Sequence, residues 1–230
     1  MVRRREFLQN VLSGAAVGVA AQAGMELASP PKAHAQTNLS PDAAMHELLE
    51  GNQRFAANQL TSIAHDLKIL RDHTVEKQEP FAAVLSCADS RVPVELVFDQ
   101  TIGQIFVTRV AGNIVTPEII ASLEYGVAVL GVKALLVLGH TSCGAVKAAM
   151  KAGTVPGQIS TLYQRLQPAV EKSGGNVDKA IEVNAILQAE LLRSSSTVIR
   201  DATKAGNLKV EAGVYDLATG KVSLSQPAKS

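Results

Sequence analysis

The chain is organised around Phe81-Ala82-Ala83-Val84-Leu85-Ser86-Cys87-Ala88-Asp89-Ser90-Arg91, an apolar run that leads directly into three reactive side chains. The run 81–86 is short and apolar and follows Pro80. This pattern favours a strand of a parallel sheet that is buried on both faces. Cys87, Asp89 and Arg91 come next, at alternate positions. Because open α/β sheets bind ligands at the carboxyl ends of their strands, the spacing predicts a functional site there.

A second apolar run, residues 134–138, leads into Gly139-His140-Thr141-Ser142-Cys143-Gly144. The two cysteines of the chain, Cys87 and Cys143, therefore both follow apolar runs. If the two strands lie close together in the sheet, Cys87, His140 and Cys143 converge. Two cysteines and one histidine form the ligand set of a catalytic zinc site that keeps one position open.

The residues by themselves leave three interpretations of the cysteines open. Lone cysteines are often small buried hydrophobes, two thiols can form a disulfide, and the third interpretation is the zinc site. Both cysteines lie beside polar residues and glycine, outside the apolar runs, which favours the metal. We expect Gly139 and Gly144 to let the backbone turn tightly around such an ion.

The two motifs, Cys87-x-Asp89-x-Arg91 and His140-x-x-Cys143-Gly144, resemble the zinc-site signature of the β-class carbonic anhydrases. The resemblance extends from about Pro41 to about Leu217 and includes the stretch 48–55. It implies an α/β fold, with a mostly parallel β-sheet flanked by helices and an N-terminal helical arm. Residues 36–230 would then form a single catalytic domain.

The resemblance also implies a mechanism. One Zn2+ per subunit, held by Cys87, His140 and Cys143, acidifies a bound water to a pKa of roughly 7. The resulting hydroxide adds to CO2 and gives bicarbonate and a proton. Asp89 would accept the hydrogen bond of the hydroxide, or bind zinc as a fourth ligand in a closed state. Arg91 would hold the Asp89 carboxylate by a bidentate pair.

Three further positions match substrate-pocket residues of that family: Gln78, Phe106 and Tyr125. Separately, the backbone amide of Gly144, at a helix N-terminus beside the expected metal, could donate to bicarbonate. Each of the three side chains also has an ordinary structural interpretation. Gln78 could be a loop residue, Phe106 a core residue of a strand, and Tyr125 a packing contact of a helix.

Family members with a regulatory bicarbonate site carry tryptophan three residues before the first zinc-binding cysteine. This chain has Val84 at that position, although Arg109 and Tyr125 match other parts of the regulatory site. The resemblance therefore does not carry this site over to the chain.

Two other functions stay open. The same zinc signature could serve a hydrolase of a CO2 analogue, carbonyl sulfide or carbon disulfide. Alternatively, the chain could be a non-catalytic zinc-binding or redox protein. Zinc storage needs neither a carboxylate that orients hydroxide nor the guanidinium that holds it, so Asp89 and Arg91 favour an enzyme.

The first 35 residues resemble an export signal. Arg3-Arg4-Arg5-Glu6-Phe7-Leu8 matches a twin-arginine motif, an apolar stretch follows at 11–23, and Ala33-His34-Ala35 predicts cleavage before Gln36. An uncleaved amphipathic helix is the alternative. With cleavage, we expect the twin-arginine export machinery to deliver a folded, zinc-loaded protein to the periplasm.

Composition narrows the choice of partners. Of the 230 residues, 47% are apolar, which is enough to form one buried core. The formal charge is +1, so the chain has no charge excess with which to bind nucleic acid or a membrane surface. The chain also lacks tryptophan. Apolar residues of the first helix (Met45, Leu48, Leu49 and Phe55) suggest uncovered surface, and the resembling family buries such surface in a homodimer or a dimer of dimers.

Periodicity and turn residues predict the remaining elements. We expect strands at 81–86, 105–110, 134–138 and 208–217, and helices at about 41–58, 93–98, 116–130, 144–151, 157–171 and 176–196.

Overall fold

The short apolar runs of the sequence assemble into one five-stranded sheet. In the computed structural model, which describes residues 37–62 and 77–226, the strands are β1 (Ala82–Ser86), β2 (Ile105–Arg109), β3 (Ala134–His140), β4 (Lys209–Tyr215) and β5 (Val222–Ser225). Their order across the sheet is β2-β1-β3-β4-β5. The first four strands are parallel, and β5 runs antiparallel to β4. The predicted mostly parallel sheet is confirmed.

Helices cover both faces of the sheet. They are α1 (Pro41–Ala56), α2 (Val94–Val97), α3 (Pro117–Ala128), α4 (Gly144–Lys151), α5 (Thr161–Lys172), α6 (Val177–Ser195) and α7 (Thr197–Lys204). Four of them begin at a side-chain cap, in which Ser40, Thr116, Asn176 or Ser196 accepts a hydrogen bond from a backbone amide three residues on. Such caps satisfy amide groups that a helix start otherwise leaves without partners.

The core lies in two layers, one on each side of the sheet. Leu85 of β1 and Val137 of β3 face one apolar cluster, which α3, α6 and α7 complete. Val84 and Leu136, their neighbours in sequence, face the other cluster, which α1 and α2 complete. Every residue of β1 and β3 is buried, as expected for central strands covered by helices on both faces.

The order of the strands creates a crevice between β1 and β3. The chain runs from β1 outward to the edge strand β2 and then returns to the opposite side of β1 to form β3. The loops that follow β1 and β3 therefore turn away from each other, which opens a crevice at the carboxyl ends of these strands. The two motifs of the sequence lie in these two loops.

The first helix does not leave surplus apolar surface in the way its sequence suggested. Met45 and Leu48 are buried in the chain's own core, against residues such as Val84 and Phe98, and Leu49 and Phe55 pack partly buried at the edge of the same cluster. The expectation of uncovered apolar surface on α1 was wrong, because the sheet face formed by β1 and β3 needs this helix as its cover.

Two elements were missed and some boundaries differ. The last predicted helix, 176–196, ends at Ser195, and Ser196 then caps a separate helix, α7. Beyond the predicted final strand, the turn at 216–221 returns the chain as β5, which has only four residues and alternates weakly. The helix expected from about 157 begins at Thr161.

The proposed export signal and its cleavage site, residues 1–35, lie outside the described residues. The residues that the structure describes, 37–62 and 77–226, all belong to one compact unit, Ala33–Ser230. Among the helices of this described part, none combines the length and apolar character needed to cross a bilayer.

Candidate metal centre

Three side chains from the two motifs meet in the crevice between β1 and β3. Cys87 directly follows β1, His140 is the last residue of β3, and Cys143 is the residue before α4. Their ligand atoms all lie within 4.8 Å of one another, and all three residues are buried. The convergence expected from the sequence occurs because β1 and β3 are hydrogen-bonded neighbours.

The orientation of His140 suits a metal ligand. Its Nδ1 lies 3.0 Å from the carbonyl oxygen of Thr141, and since a carbonyl only accepts, Nδ1 is the donor. In a neutral imidazole Nε2 is then unprotonated. This atom is fully buried and has no hydrogen-bond partner. A buried acceptor without a donor is unfavourable, and a cation between Nε2 and the two sulfurs removes that cost, so the residues fit a metal ion.

The pKa values of the two cysteine thiols are shifted in opposite directions. The hydrogen bond from Cys143 lowers the pKa of Cys87, and the backbone amides of Gly112 and Asp89 lower it further against the opposing effect of burial. The same contact, together with burial, raises the pKa of Cys143. The Gly112 amide donates to the Cys87 sulfur over 3.3 Å. Anionic sulfur is therefore already favoured at Cys87, and thiolates with an imidazole are typical zinc ligands.

Asp89 lies beside this cluster and is paired with Arg91. Its Oδ2 is 3.8 Å from His140 Nε2. Arg91 donates from Nε to Oδ1 over 2.9 Å and from Nη2 to Oδ2 over 2.8 Å, and its backbone amide also donates to Oδ1. These bonds hold the pKa of the Asp89 carboxyl well below its usual range. The bidentate geometry matches the pair expected from the spacing of the motif.

Arg109, the last residue of β2, supports the same loop. Its Nε donates to the carbonyl of Cys87 over 2.9 Å, and its Nη2 donates to the carbonyl of Asp89. The guanidinium of this residue therefore fixes the backbone that carries a metal ligand and the adjacent carboxylate.

The other pocket candidates lie elsewhere in the same chain. Gln78 is exposed and precedes β1, whereas Cys87 follows the other end of this strand. Five strand residues at about 3.3 Å each separate those ends by roughly 16 Å. Phe106 is the second residue of β2, and its ring lies at a centroid distance of 6.3 Å from that of Tyr125. Within one chain, none of the three joins the Cys-His-Cys cluster in the way that Asp89 does.

The expectation that Gly139 and Gly144 turn the backbone was wrong. Neither has a positive φ, and the left-handed residue of this loop is Ser142, at φ 58°. Gly139 lies inside β3, where a Cβ would come within 3.2 Å of Ile181, so it allows α6 to pack closely. Gly144 begins α4, and a Cβ there would meet nothing within 4 Å. Gly144 is exposed, which is compatible with the predicted contact between its amide and bicarbonate.

Sequence reasoning missed a set of polar residues behind the cluster. Gly112 donates to the Cys87 sulfur, Asn184 of α6 donates to the Gly112 carbonyl, and Gln188 donates to Asn184. Asn184 and Gln188 are four residues apart on the apolar face of α6, so two polar positions within an otherwise apolar stripe were the available signal. Their partner, the loop at Gly112, is 72 residues distant in sequence and could not be identified from it.

Comparison with known proteins agrees with this geometry. The family profile described as carbonic anhydrase matches residues 82–222. A carbonic anhydrase of Mycolicibacterium smegmatis is 37% identical over 81% of this chain and 94% of its own length, and carbonic anhydrase 2 of Mycobacterium tuberculosis is 36% identical with the same coverage.

Solved structures show the same fold. A tetrameric β-carbonic anhydrase from Sordaria macrospora is 25% identical and superposes with a TM-score of 0.64, covering 81% of this chain and 98% of that one. A Coccomyxa β-carbonic anhydrase in complex with acetazolamide is 29% identical, with a TM-score of 0.62 over 77% of this chain and 84% of that one. The profile match, the relatives and the strand order with its ligand cluster all agree that this chain belongs to the β-class of the carbonic anhydrase family.

Proposed function

We propose that the chain is a zinc-dependent carbonic anhydrase that catalyses the reversible hydration of CO2 to bicarbonate and a proton. The observation that carries this proposal is the buried Cys87–His140–Cys143 cluster, in which the Nε2 of His140 has no partner and the Asp89–Arg91 pair lies alongside. Membership of the family supports the same activity.

The cluster residues and the pair have different roles. Cys87, His140 and Cys143 would hold zinc, which supplies a Lewis acid that makes water nucleophilic near neutral pH. Asp89 accepts a hydrogen bond from the attacking water and directs its lone pair toward the carbon of CO2. Arg91 occupies both carboxylate oxygens from one side, so the carboxylate stays anionic and keeps a single orientation. The exposed Gly144 amide can donate to bicarbonate as it forms.

An enzyme fits these residues better than a zinc store or a thiol sensor. Storage requires only the ligands, whereas the chain also holds a carboxylate 3.8 Å from the ligand nitrogen and fixes it with three hydrogen bonds from Arg91. A carboxylate held in this way orients a reacting molecule, a function that storage does not need.

The test is a metal analysis of protein purified without chelators, combined with a stopped-flow assay of CO2 hydration. We expect close to one zinc per chain and rapid hydration that disappears when zinc is removed and returns when it is restored. Carbonyl sulfide and carbon disulfide are assayed in parallel. Turnover of either compound without CO2 hydration would assign the site to hydrolysis of a CO2 analogue.

The active form is proposed to be a homodimer or a dimer of dimers. Gln78 lies beyond the opposite end of β1 from the cluster, so within one chain it is too distant to touch a substrate there. A second copy could bring its own Gln78, Phe106 and Tyr125 to this crevice. The described surface also exposes apolar side chains that contacts between subunits could bury, among them Ile102, Tyr125 and Val129.

Export by the twin-arginine machinery is proposed from the sequence motif at residues 3–8 and the Ala33-His34-Ala35 site. Folding and zinc binding before export would protect the two thiols from oxidation in the periplasm.

A further inference from the structure

A chain of buried amides connects helix α6 to the metal centre. Asn184 and Gln188 lie one turn apart on α6, and they are 1% and 4% exposed. Gln188 Nε2 donates to Asn184 Oδ1 over 3.1 Å, and Asn184 Nδ2 donates to the Gly112 carbonyl over 2.9 Å. Gln188 Oε1 also accepts from the Val115 amide over 2.8 Å. Two side chains of one helix therefore hold the loop 112–115 at both of its ends.

That loop provides a donor to a metal ligand. The Gly112 amide points at the Cys87 sulfur over 3.3 Å, in a 3-10 turn where Gly112 has φ 75°. The N–H of Gly112 lies in the peptide unit 111–112 and its carbonyl in the unit 112–113, and the glycine between them has no Cβ to restrict φ and ψ. Asn184 holds the carbonyl, and this contact limits the backbone rotation at Gly112 that would turn the N–H away from the sulfur.

We propose that Asn184, supported by Gln188, is a positioning residue for the metal centre. It acts through Gly112 to keep an N–H on the Cys87 thiolate, and it thereby sets how strongly this sulfur binds zinc. The inference rests on the proposed function, since it requires that the cluster holds zinc. Hydrogen bonds behind metal ligands commonly change metal affinity by about 10–100-fold when they are removed.

Another residue of the chain can serve as a control for a purely structural role of Asn184. Asn52 of α1 is also buried, and its side chain makes three hydrogen bonds where that of Asn184 makes two: Asn52 donates to the carbonyls of Val97 and Gly220 and accepts from the Val222 amide. These partners lie around α1, α2 and β5, and none is a cluster residue or belongs to loop 112–115. Asn52 therefore resembles Asn184 in being a buried, hydrogen-bonded amide, but it has no connection to the cluster.

The experiment compares Asn184→Leu with Asn52→Leu in the full-length, zinc-loaded protein. Zinc affinity is measured by competition with a chromophoric chelator. The thiolate-to-metal charge-transfer absorption is recorded after replacement of zinc by Co2+, and thermal unfolding is followed in parallel. We expect both variants to unfold at lower temperature. Only Asn184→Leu should bind zinc about 10–100-fold more weakly and shift the cobalt absorption.

Each outcome decides the question. Wild-type zinc affinity and an unchanged cobalt spectrum in Asn184→Leu would overturn the inference, as would equal changes in both variants. If either leucine variant does not fold, Asn184→Ser and Asn52→Ser provide the same comparison with a smaller, polar side chain. A wild-type protein that binds no zinc would overturn the proposed function as well, so the two failures are distinguishable.

Discussion

Each of the three proposed zinc ligands is held by a different neighbour. His140 donates to the Thr141 carbonyl, Cys87 accepts from the Gly112 amide, and Cys143 lies at the start of α4. No ligand substitutes for another, because each comes from a separate position: Cys87 follows β1, His140 ends β3 and Cys143 precedes α4. The cluster should therefore act as a unit in metal binding.

Substitution of any one ligand should remove zinc and activity together. Cys87→Ser, His140→Ala and Cys143→Ser are each expected to lose most of the bound zinc and the hydration of CO2, since two remaining ligands hold the ion poorly. Metal content and hydration rate are measured on the same preparations. Ser90→Ala, an exposed neighbour in the same loop, is the control and should retain both. Near-stoichiometric zinc in any of the three ligand variants would refute the assignment.

The Asp89–Arg91 pair should affect catalysis without holding the metal. Asp89→Ala and Arg91→Ala are expected to retain zinc and to lose CO2 hydration by about 10–100-fold, because the attacking water is no longer oriented. Arg200→Ala removes a surface arginine that also pairs with a carboxylate, and it should leave the rate unchanged. A full hydration rate at neutral pH in either Asp89→Ala or Arg91→Ala would exclude the pair from the mechanism.

The convergence of Cys87, His140 and Cys143 and the Asp89–Arg91 pair could be predicted from the sequence, because short local patterns contain these residues. Apolar runs place Cys87 and His140 at strand ends, and Arg91 is two residues from Asp89. Arg109 and Asn184 could not be assigned their contacts in this way, because their partners are 20 to 72 residues away and depend on how the sheet is assembled.

At the level of elements, one buried carboxylate connects the end of α1 to the segment between α2 and β2. Asp99 Oδ2 accepts from Arg54 Nε over 2.6 Å and from the Thr61 hydroxyl over 2.8 Å. Its Oδ1 accepts from the amides of Thr61 and Ser62. Burial alone would raise the pKa of Asp99, but these hydrogen bonds outweigh it and hold this pKa well below the ordinary 3.8.

The low pKa predicts how stability depends on pH. The contribution of Asp99 is present above its unfolded-state pKa, near 3.8, and is lost as pH falls through the lower folded-state value. Asp99→Asn should lower the free energy of unfolding at pH 7 by about 1.5–3 kcal/mol, as for other hydrogen bonds to charged groups. This deficit relative to wild type should shrink below pH 4.

Chemical denaturation at a series of pH values checks this prediction, and Asp201→Asn is the control. The Asp201 side chain is 70% exposed, so its neutralisation should cost little at any pH. A deficit in Asp99→Asn that stays constant from pH 7 to below pH 4 would show that the carboxylate charge does not stabilise this contact.

Helices and strands were predicted well where the pattern of apolar residues in the sequence is strong. The bounds of β1, β3 and α4 were close to those observed, because continuous apolar runs and a 3.6-residue period are strong signals. β5 was not predicted because a four-residue edge strand buries few side chains and shows little alternation between buried and exposed residues. The break between α6 and α7 depends on Ser196, which caps a new helix and also donates to Glu124, a residue far away in sequence.

For the whole molecule, the proposed shared pocket predicts complementation between subunits. Cys87→Ser removes the metal but leaves Gln78 intact, whereas Gln78→Ala leaves the metal but alters the expected pocket. Each variant alone should hydrate CO2 poorly. In an exchanged 1:1 mixture, half of the dimers should be mixed and each should hold one intact site, which restores about a quarter of all sites.

The measurement is the hydration rate before and after subunit exchange, with the mass of the assembly followed by analytical ultracentrifugation. Mixing Cys87→Ser with His140→Ala is the control, because no arrangement of those two subunits restores a ligand set. A mixture of Cys87→Ser and Gln78→Ala that shows only the average of its parents would mean that the second subunit completes no pocket.

The proposed export signal gives a prediction about location. Arg4→Lys combined with Arg5→Lys should retain the protein in the cytoplasm with its first 35 residues attached, since the arginine pair is the recognised feature. Cell fractionation and sequencing of the N-terminus provide the measurement, and Arg3→Lys alone should be exported normally. Processed protein that begins at Gln36 outside the inner membrane, despite the double change, would point to another route.

The detour of the chain through β2 has a consequence for protein synthesis. β1 and β3 are neighbours in the sheet, yet His140 follows Cys87 by 53 residues in the sequence. Chains grow at about 5–20 residues per second, so Cys87 is made roughly 3–10 s before His140. During that interval the neighbours of Cys87 that come after His140, namely Cys143 and Val146 of α4, do not yet exist. Translation therefore leaves this thiol without part of its cover, and accessible to metal ions, for several seconds until β3 and α4 have been made.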